Sequence, residues 1–201
     1  MYIIHNMTQR GSHIKEKVFR ILLNHPKGEL TKYKLAKISD CSYPSVHRIL
    51  KKLEESKLVK GTKVKNFQEI INIWKNWKVR RDIREYVINN PIEILKKTNL
   101  QYALTTYHAE NLVQGYLFPS RVDVYVKQQD KLNWHNFLMK QGALVGKGNL
   151  RIIMTDEQTF YNLSYRQGFV VVSIPQLIID LLREGGTCIE AANILLEKVE
   201  T

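Results

Sequence analysis

The sequence predicts an α/β (α+β) chain in two parts: a small basic module of helices closed by a short β-hairpin, then a mixed α/β domain. Three observations predict it. Apolar residues recur at three- and four-residue spacing through residues 13–53, the mark of helices with one buried face. From residue 102 onward, short β-branched runs alternate with helical stretches. The charge is also divided: residues 1–84 hold 20 Lys and Arg against 7 Asp and Glu, a balance of +13, whereas residues 85–201 hold 11 against 12, a balance of −1. The +12 of the whole chain therefore lies in the first half, and a polyanionic partner would contact that half.

The totals exclude several classes. At 201 residues the chain suits one large domain or two small ones, and 44% apolar content suffices for a packed core. Cys41 and Cys188 are too few and too far apart for a disulfide framework or a zinc site, so both read as ordinary thiols of a reducing compartment. No apolar run is long enough to span a membrane, and the first thirteen residues lack the apolar core of a secretory signal. A cytoplasmic protein without membrane contact is expected.

In the first half, Ser12 stands where it can cap a helix from His13 to Asn24, with Ile14, Val18, Ile21 and Leu22 on one stripe. His25-Pro26 ends it and Gly28 lets the chain turn. Thr31 begins a second helix that turns Leu35, Ala36 and Ile38 inward. After the turn Asp40-Cys41-Ser42, Ser42 caps a third helix with Pro44 in its first turn. That helix buries Val46, Ile49, Leu50 and Leu53, and its other side carries Tyr43, Ser45, His47, Arg48, Lys51 and Lys52. Leu58-Val59-Lys60, Gly61-Thr62 and Lys63-Val64-Lys65 read as strand, turn and return strand.

Cap, turn, periodicity and hairpin agree in order, and residues 13–66 resemble the winged helix-turn-helix family in the run KLAKISDCSYPSVHRILKKLEESKLVKG. The resemblance implies binding to double-stranded DNA, with the third helix in the major groove. Arg48 is the best candidate for a guanine edge, with Tyr43, Ser45 and His47 as further base or phosphate contacts. Lys32, Lys34, Lys51, Lys52, Lys60, Lys63 and Lys65 are the candidates for holding phosphates. His47 has no second ligand three or four residues on, so no metal site is expected there. Phe67 to Trp77 reads as a connecting helix with Phe67, Ile70, Ile71, Trp74 and Trp77 on one stripe, the tryptophans serving packing rather than base stacking.

The expected boundaries are therefore 1–66 for the DNA-binding module, 67–90 for the connecting helix and linker, and 91–201 for the α/β domain. In that domain, strands are expected at 102–105, 121–126, 150–154 and 169–172, and helices at 92–98, 108–113, 131–140, 176–183 and 188–199. The segment ALTTYHAENLVQGYLFPSRVDVYV is laid out like a nucleotidyltransferase site, which needs a Gly-Ser turn and two carboxylates two residues apart. Here the turn is Gly115-Tyr116, and Tyr125 stands where the second carboxylate would join Asp123. The domain reads as a degenerate nucleotidyltransferase-like fold: no catalytic residue, metal or cofactor is expected, and Asp123 is free to pair with Arg121 or Arg151.

Further on, VVSIPQLIIDLLREGG followed by EAANILLEK is similar to the C-terminal part of AbiEi-type antitoxins, the transcriptional regulators of type IV toxin–antitoxin systems. Pro175, Gln176, Leu177, Asp180, Leu181, Gly186, Glu190, Ala191 and Ala192 carry the match, and Asp123 lies in an upstream stretch that agrees with it. The resemblance implies a repressor that binds an inverted repeat at its own promoter. It also implies a C-terminal domain, with Asp123, Gln176, Asp180 and Glu190 as its motif, that counters a nucleotidyltransferase toxin without a stable complex. Two alternatives stay open: a nucleotidyltransferase-like enzyme tethered to nucleic acid, and a ligand-sensing winged-helix regulator. Oligomeric state is open too.

Overall fold

The computed structural model describes residues 9–77 and 80–200. It is a mixed α/β protein that divides into two compact units between Arg80 and Arg81. The segment 67–90, expected to connect the domains, is instead shared out: its helix belongs to the first unit and its strand to the second.

The first unit contains α1 (Gln9–Asn24), α2 (Lys32–Ile38), α3 (Tyr43–Glu55), β1 (Val59–Lys60), β2 (Lys63–Val64) and α4 (Phe67–Lys75). Ser12, expected as a cap, lies inside α1, because the good helix formers Gln9 and Arg10 extend it by a turn. Thr31 does cap α2, its hydroxyl oxygen accepting from the Lys34 N–H at 3.1 Å. Ser42 stands at the N-cap of α3 but donates its hydroxyl to Ser45 at 2.9 Å instead of accepting from the helix.

Two buried rows run along α1. Val18, Ile21 and Leu22 join Leu35, Val46, Leu50 and Leu53 in the core of the module. Phe19 and Leu23 form the second row, on which α4 packs: Phe19 meets Trp77 with ring centroids 4.6 Å apart. Both tryptophans of α4 and its end are buried, as the packing reading requires. Two charged residues are buried with them. Glu16 accepts from the Trp74 indole N–H at 3.0 Å, and the Arg20 guanidinium lies 5.8 Å from the Trp74 ring.

The second unit is built on a seven-stranded mixed sheet in the order β6-β3-β7-β5-β4-β9-β8. Its elements are β3 (Ile83–Val87), α5 (Pro91–Lys96), β4 (Ala103–Thr105), α6 (Thr106–Val113), β5 (Val122–Lys127), α7 (Lys131–Lys140), β6 (Leu144–Val145), β7 (Leu150–Thr155), β8 (Ser164–Arg166), β9 (Phe169–Val171), α8 (Ile174–Glu184) and α9 (Thr187–Glu200). Strands β5 and β7 are parallel, as are β4 and β9, and the other neighbours are antiparallel. Helix α7 lies between the parallel β5 and β7 in sequence and covers one face, where the His135 imidazole and the Tyr86 hydroxyl are 3.0 Å apart. Helix α8 covers the other face, where Asp180 reaches the side chains of Thr105 and Tyr125. The β5 residues Val122–Val126 are all buried, as a central strand covered on both faces requires.

Both cysteines are free thiols, Cys188 buried and Cys41 half-buried. No helix among the described residues is long and apolar enough to cross a membrane.

Gly148 precedes β7 where the backbone passes closest to β3, and a Cβ there would overlap the main-chain carbonyl of Tyr86. Because a backbone atom cannot swing aside, Gly148→Ala is expected to destabilise the second unit by about 1–3 kcal/mol, measured by thermal denaturation.

Candidate functional site

The outer side of α3 follows from its inner side. With Val46, Leu50 and Leu53 buried at three- and four-residue steps, Tyr43, His47, Arg48, Lys51 and Lys52 are turned to solvent, while Ser45 is half-buried. Tyr43 and His47, one turn apart, stack with ring centroids 6.0 Å apart and planes within 21°. Among the described residues, Arg48, Lys34, Lys51, Lys60, Lys63 and Lys65 have no salt-bridge partner, and all six are exposed. Lys32 differs from the other phosphate candidates: it is half-buried, with its ammonium 3.7 Å from the Glu54 carboxylate. The first unit therefore presents several unneutralised cations to solvent, as contact with a polyanion requires.

The hairpin β1–β2 is fixed to the helices rather than left projecting. Gly61 takes the left-handed φ of +64° that the first central position of its two-residue turn demands. Its N–H donates to Glu54 Oε1 at 2.6 Å, from the last turn of α3. The buried hydroxyl of Thr62 donates to the Leu30 carbonyl, and the Val64 N–H donates to the Pro26 carbonyl at 2.8 Å. Lys60 and Lys63 stand directly opposite each other across the two strands.

In the second unit, Asp123, Gln176 and Asp180 are brought together in one buried polar layer between α8 and the sheet. Asp180 accepts from the Thr105 hydroxyl at 2.6 Å, the Tyr125 hydroxyl at 2.8 Å and the Gln176 side-chain amide at 2.9 Å. The Arg81 guanidinium is 3.7 Å from the same carboxylate and 4.9 Å from the Tyr125 ring centroid. Asp180 is thus a core residue rather than a helix-surface one. Burial pushes its carboxyl pKa up, against the opposing pull of Arg81, Thr105 and Gln176.

Asp123, fully buried, pairs with both arginines that the sequence offered it. It accepts from Arg121 Nε at 2.6 Å and from Arg151 Nη2 at 2.8 Å, and also from the Thr106 hydroxyl. Glu184 at the end of α8 closes the set, 2.7 Å from Arg121 and 2.8 Å from Arg151. Burial pushes Glu184 up, but its bonds from Arg151 and Arg121 outweigh that and hold its pKa below the ordinary value. Arg121 is held more firmly protonated by its bond to Asp123.

Two expectations are corrected here. The step Gly115-Tyr116 does not stand at a strand-to-helix turn: it closes α6, with the Tyr116 and Leu117 N–H groups donating to the buried Glu110. The strand-to-helix junction facing Asp123 is Thr105-Thr106, and Thr106 has a φ of +49°, a left-handed conformation that a β-branched residue rarely adopts. Glu190 does not join the polar layer. It is exposed on α9, beside the Tyr116 hydroxyl, whose pKa it raises by hydrogen bonding. Among the described residues there is no group of three His, Cys, Asp or Glu side chains arranged to hold a metal ion.

Removing Asp180 would leave three buried donors without their acceptor and the Arg81 charge without its carboxylate. Asp180→Ala is expected to cost about 3–5 kcal/mol of stability, read from denaturant unfolding of the full chain. Glu184 gives a pH test. Its folded pKa lies below its unfolded one, so its contribution is present above the ordinary value of 4.5 and is lost as pH falls below it. The gap in melting temperature between wild type and Glu184→Gln is therefore expected to narrow as the solution is acidified through that range.

Compared with protein-family models, with curated proteins and with solved structures, the chain matches none.

Proposed function

We propose that the first unit is a winged helix-turn-helix that binds double-stranded DNA, and that the chain is a transcriptional repressor acting on its own promoter. The observation that carries this reading is the outer side of α3, solvent-open and lined by Tyr43, His47, Arg48, Lys51 and Lys52 beside a lysine-bearing hairpin. A helix fits the major groove, and Arg is the side chain best suited to the two acceptors of a guanine edge. The lysines of α2, α3 and the hairpin supply the phosphate contacts that fix register on the duplex. The second unit is the antitoxin-like part of a toxin–antitoxin regulator. That assignment rests on the likeness of the Pro175–Ala192 segment to AbiEi-type antitoxins, seven of whose nine matching positions, all but Gly186 and Glu190, are buried here. Asp123 is engaged by Arg121, Arg151 and Thr106, which favours a core role for it over a metal-binding one.

The test is electrophoretic mobility shift and footprinting on the DNA immediately upstream of the gene. Wild type is expected to protect an inverted repeat. With Lys32 tied to Glu54, six lysine candidates remain, so log affinity against log salt is expected to fall with a slope of about −5. Arg48→Ala is expected to weaken the protected site by about 1–3 kcal/mol while leaving binding to unrelated DNA nearly unchanged. No shift of the upstream DNA at low salt would overturn the reading.

A further inference from the structure

A carboxylate on a surface that binds DNA is expected to repel it, and Glu54 is such a carboxylate, carried by the same helix as Arg48, Lys51 and Lys52. Its placement indicates a different role. Oε1 accepts from the Gly61 N–H at 2.6 Å, at the tip of the hairpin, while the other oxygen lies 3.7 Å from Lys32. With Thr62 bonded to Leu30 and Val64 to Pro26, the turn is held from three sides.

What that hold positions is a pair of like charges. Lys60 and Lys63 are directly opposite in the hairpin register, both exposed and neither in an ion pair with a described residue. Two ammonium groups side by side on an antiparallel pair are destabilising by themselves, and the repulsion is relieved when an anion lies between them. A hairpin of two residues per strand is too short to keep this arrangement unaided.

We propose that Glu54 is a positioning residue of the DNA interface: its carboxylate anchors the Gly61 turn and so holds Lys60 and Lys63 ready to straddle one backbone phosphate. This rests on the DNA-binding reading above. The loss of affinity on removing Glu54 then runs against simple charge counting, which expects tighter binding when a negative charge is taken away.

The experiment is a fluorescence-anisotropy titration of the full chain on a mixed-sequence DNA duplex at several salt concentrations. It uses wild type, Glu54→Ala, Glu54→Gln and the double variant Lys60→Ala/Lys63→Ala with and without Glu54→Ala. Glu54→Ala is expected to bind about tenfold more weakly, the worth of one well-placed charged hydrogen bond. Glu54→Gln keeps an acceptor for the Gly61 N–H and is expected to recover most of that loss. In the background lacking Lys60 and Lys63, where the loss of one shared phosphate contact makes the salt slope shallower by about 1, adding Glu54→Ala is expected to change nothing further. Tighter or unchanged binding by Glu54→Ala overturns the proposal and leaves the DNA-binding reading standing. An equal loss in the background lacking Lys60 and Lys63 also overturns it, since Glu54 would then act on the fold as a whole. If wild type itself does not bind the duplex, the DNA-binding reading fails and this proposal falls with it.

Discussion

Everything on the basic side of the first unit depends on the burial of Val46, Leu50 and Leu53. These three fix the rotation of α3 about its own axis, and a helix has no second way to bury that stripe. Once it is buried against Val18, Ile21, Leu22 and Leu35, the positions between the apolar ones must face outward. Those positions hold an arginine, two lysines and a stacked Tyr43–His47 pair. Hydrophobic packing on one side thus dictates the charge display on the other. Helix α1 contributes by being covered twice, by the α2–α3 core and by α4.

The second unit solves a different problem. Its central strands are buried on both faces, yet β5 carries Asp123 and Tyr125, and α8 lays Gln176 and Asp180 on them. Asp123, Tyr125, Gln176 and Asp180 are each hydrogen-bonded within the layer, so it behaves as a lock rather than as a liability. A one-residue slip of β5 would replace Asp123 and Tyr125 on that face by valines and strand Arg121, Arg151 and Asp180. Such networks add little net stability over an apolar core but penalise wrong pairings heavily. The left-handed Thr106 belongs to the same arrangement, since its hydroxyl is bonded to Asp123.

Much of this was legible in the sequence, for identifiable reasons. Helix α7 was expected at its observed bounds, and α3, β5, β7 and the hairpin within a residue or two, because amphipathic periodicity and turn residues are local signals. The outer residues of α3 were legible because helical geometry converts a buried stripe into an exposed one. Arg121 and Arg151 were legible as candidate partners of Asp123, and both bond to it. Strands β3, β6 and β8 were not seen: β3 mixes charges into its alternation, and β6 has two residues. The burial of Glu16 and Arg20 was also missed, although Phe19 and Leu23 continue their row along α1 and marked a second covered side. Asp180 had its own signal, standing four residues after Gln176 in an otherwise apolar helix. The Thr106 backbone and the Glu54–Gly61 contact had none: the first arises only when α6 closes on β5, and the second depends on how the chain turns between α3 and the hairpin, which helical periodicity does not specify.

The placement of the indoles has a practical meaning. Of the three tryptophans in the chain, Trp74 and Trp77 lie in the first unit and Trp134 in the second, all shielded from water. Trp74 is bonded to a carboxylate and faces a guanidinium, whereas Trp134 meets Tyr102 and Phe137 edge-on. Each half of the molecule therefore carries its own intrinsic optical reporter in a distinct surrounding. Replacing Trp134 by phenylalanine, or the other two together, turns fluorescence emission into a gauge of one half at a time without any attached dye.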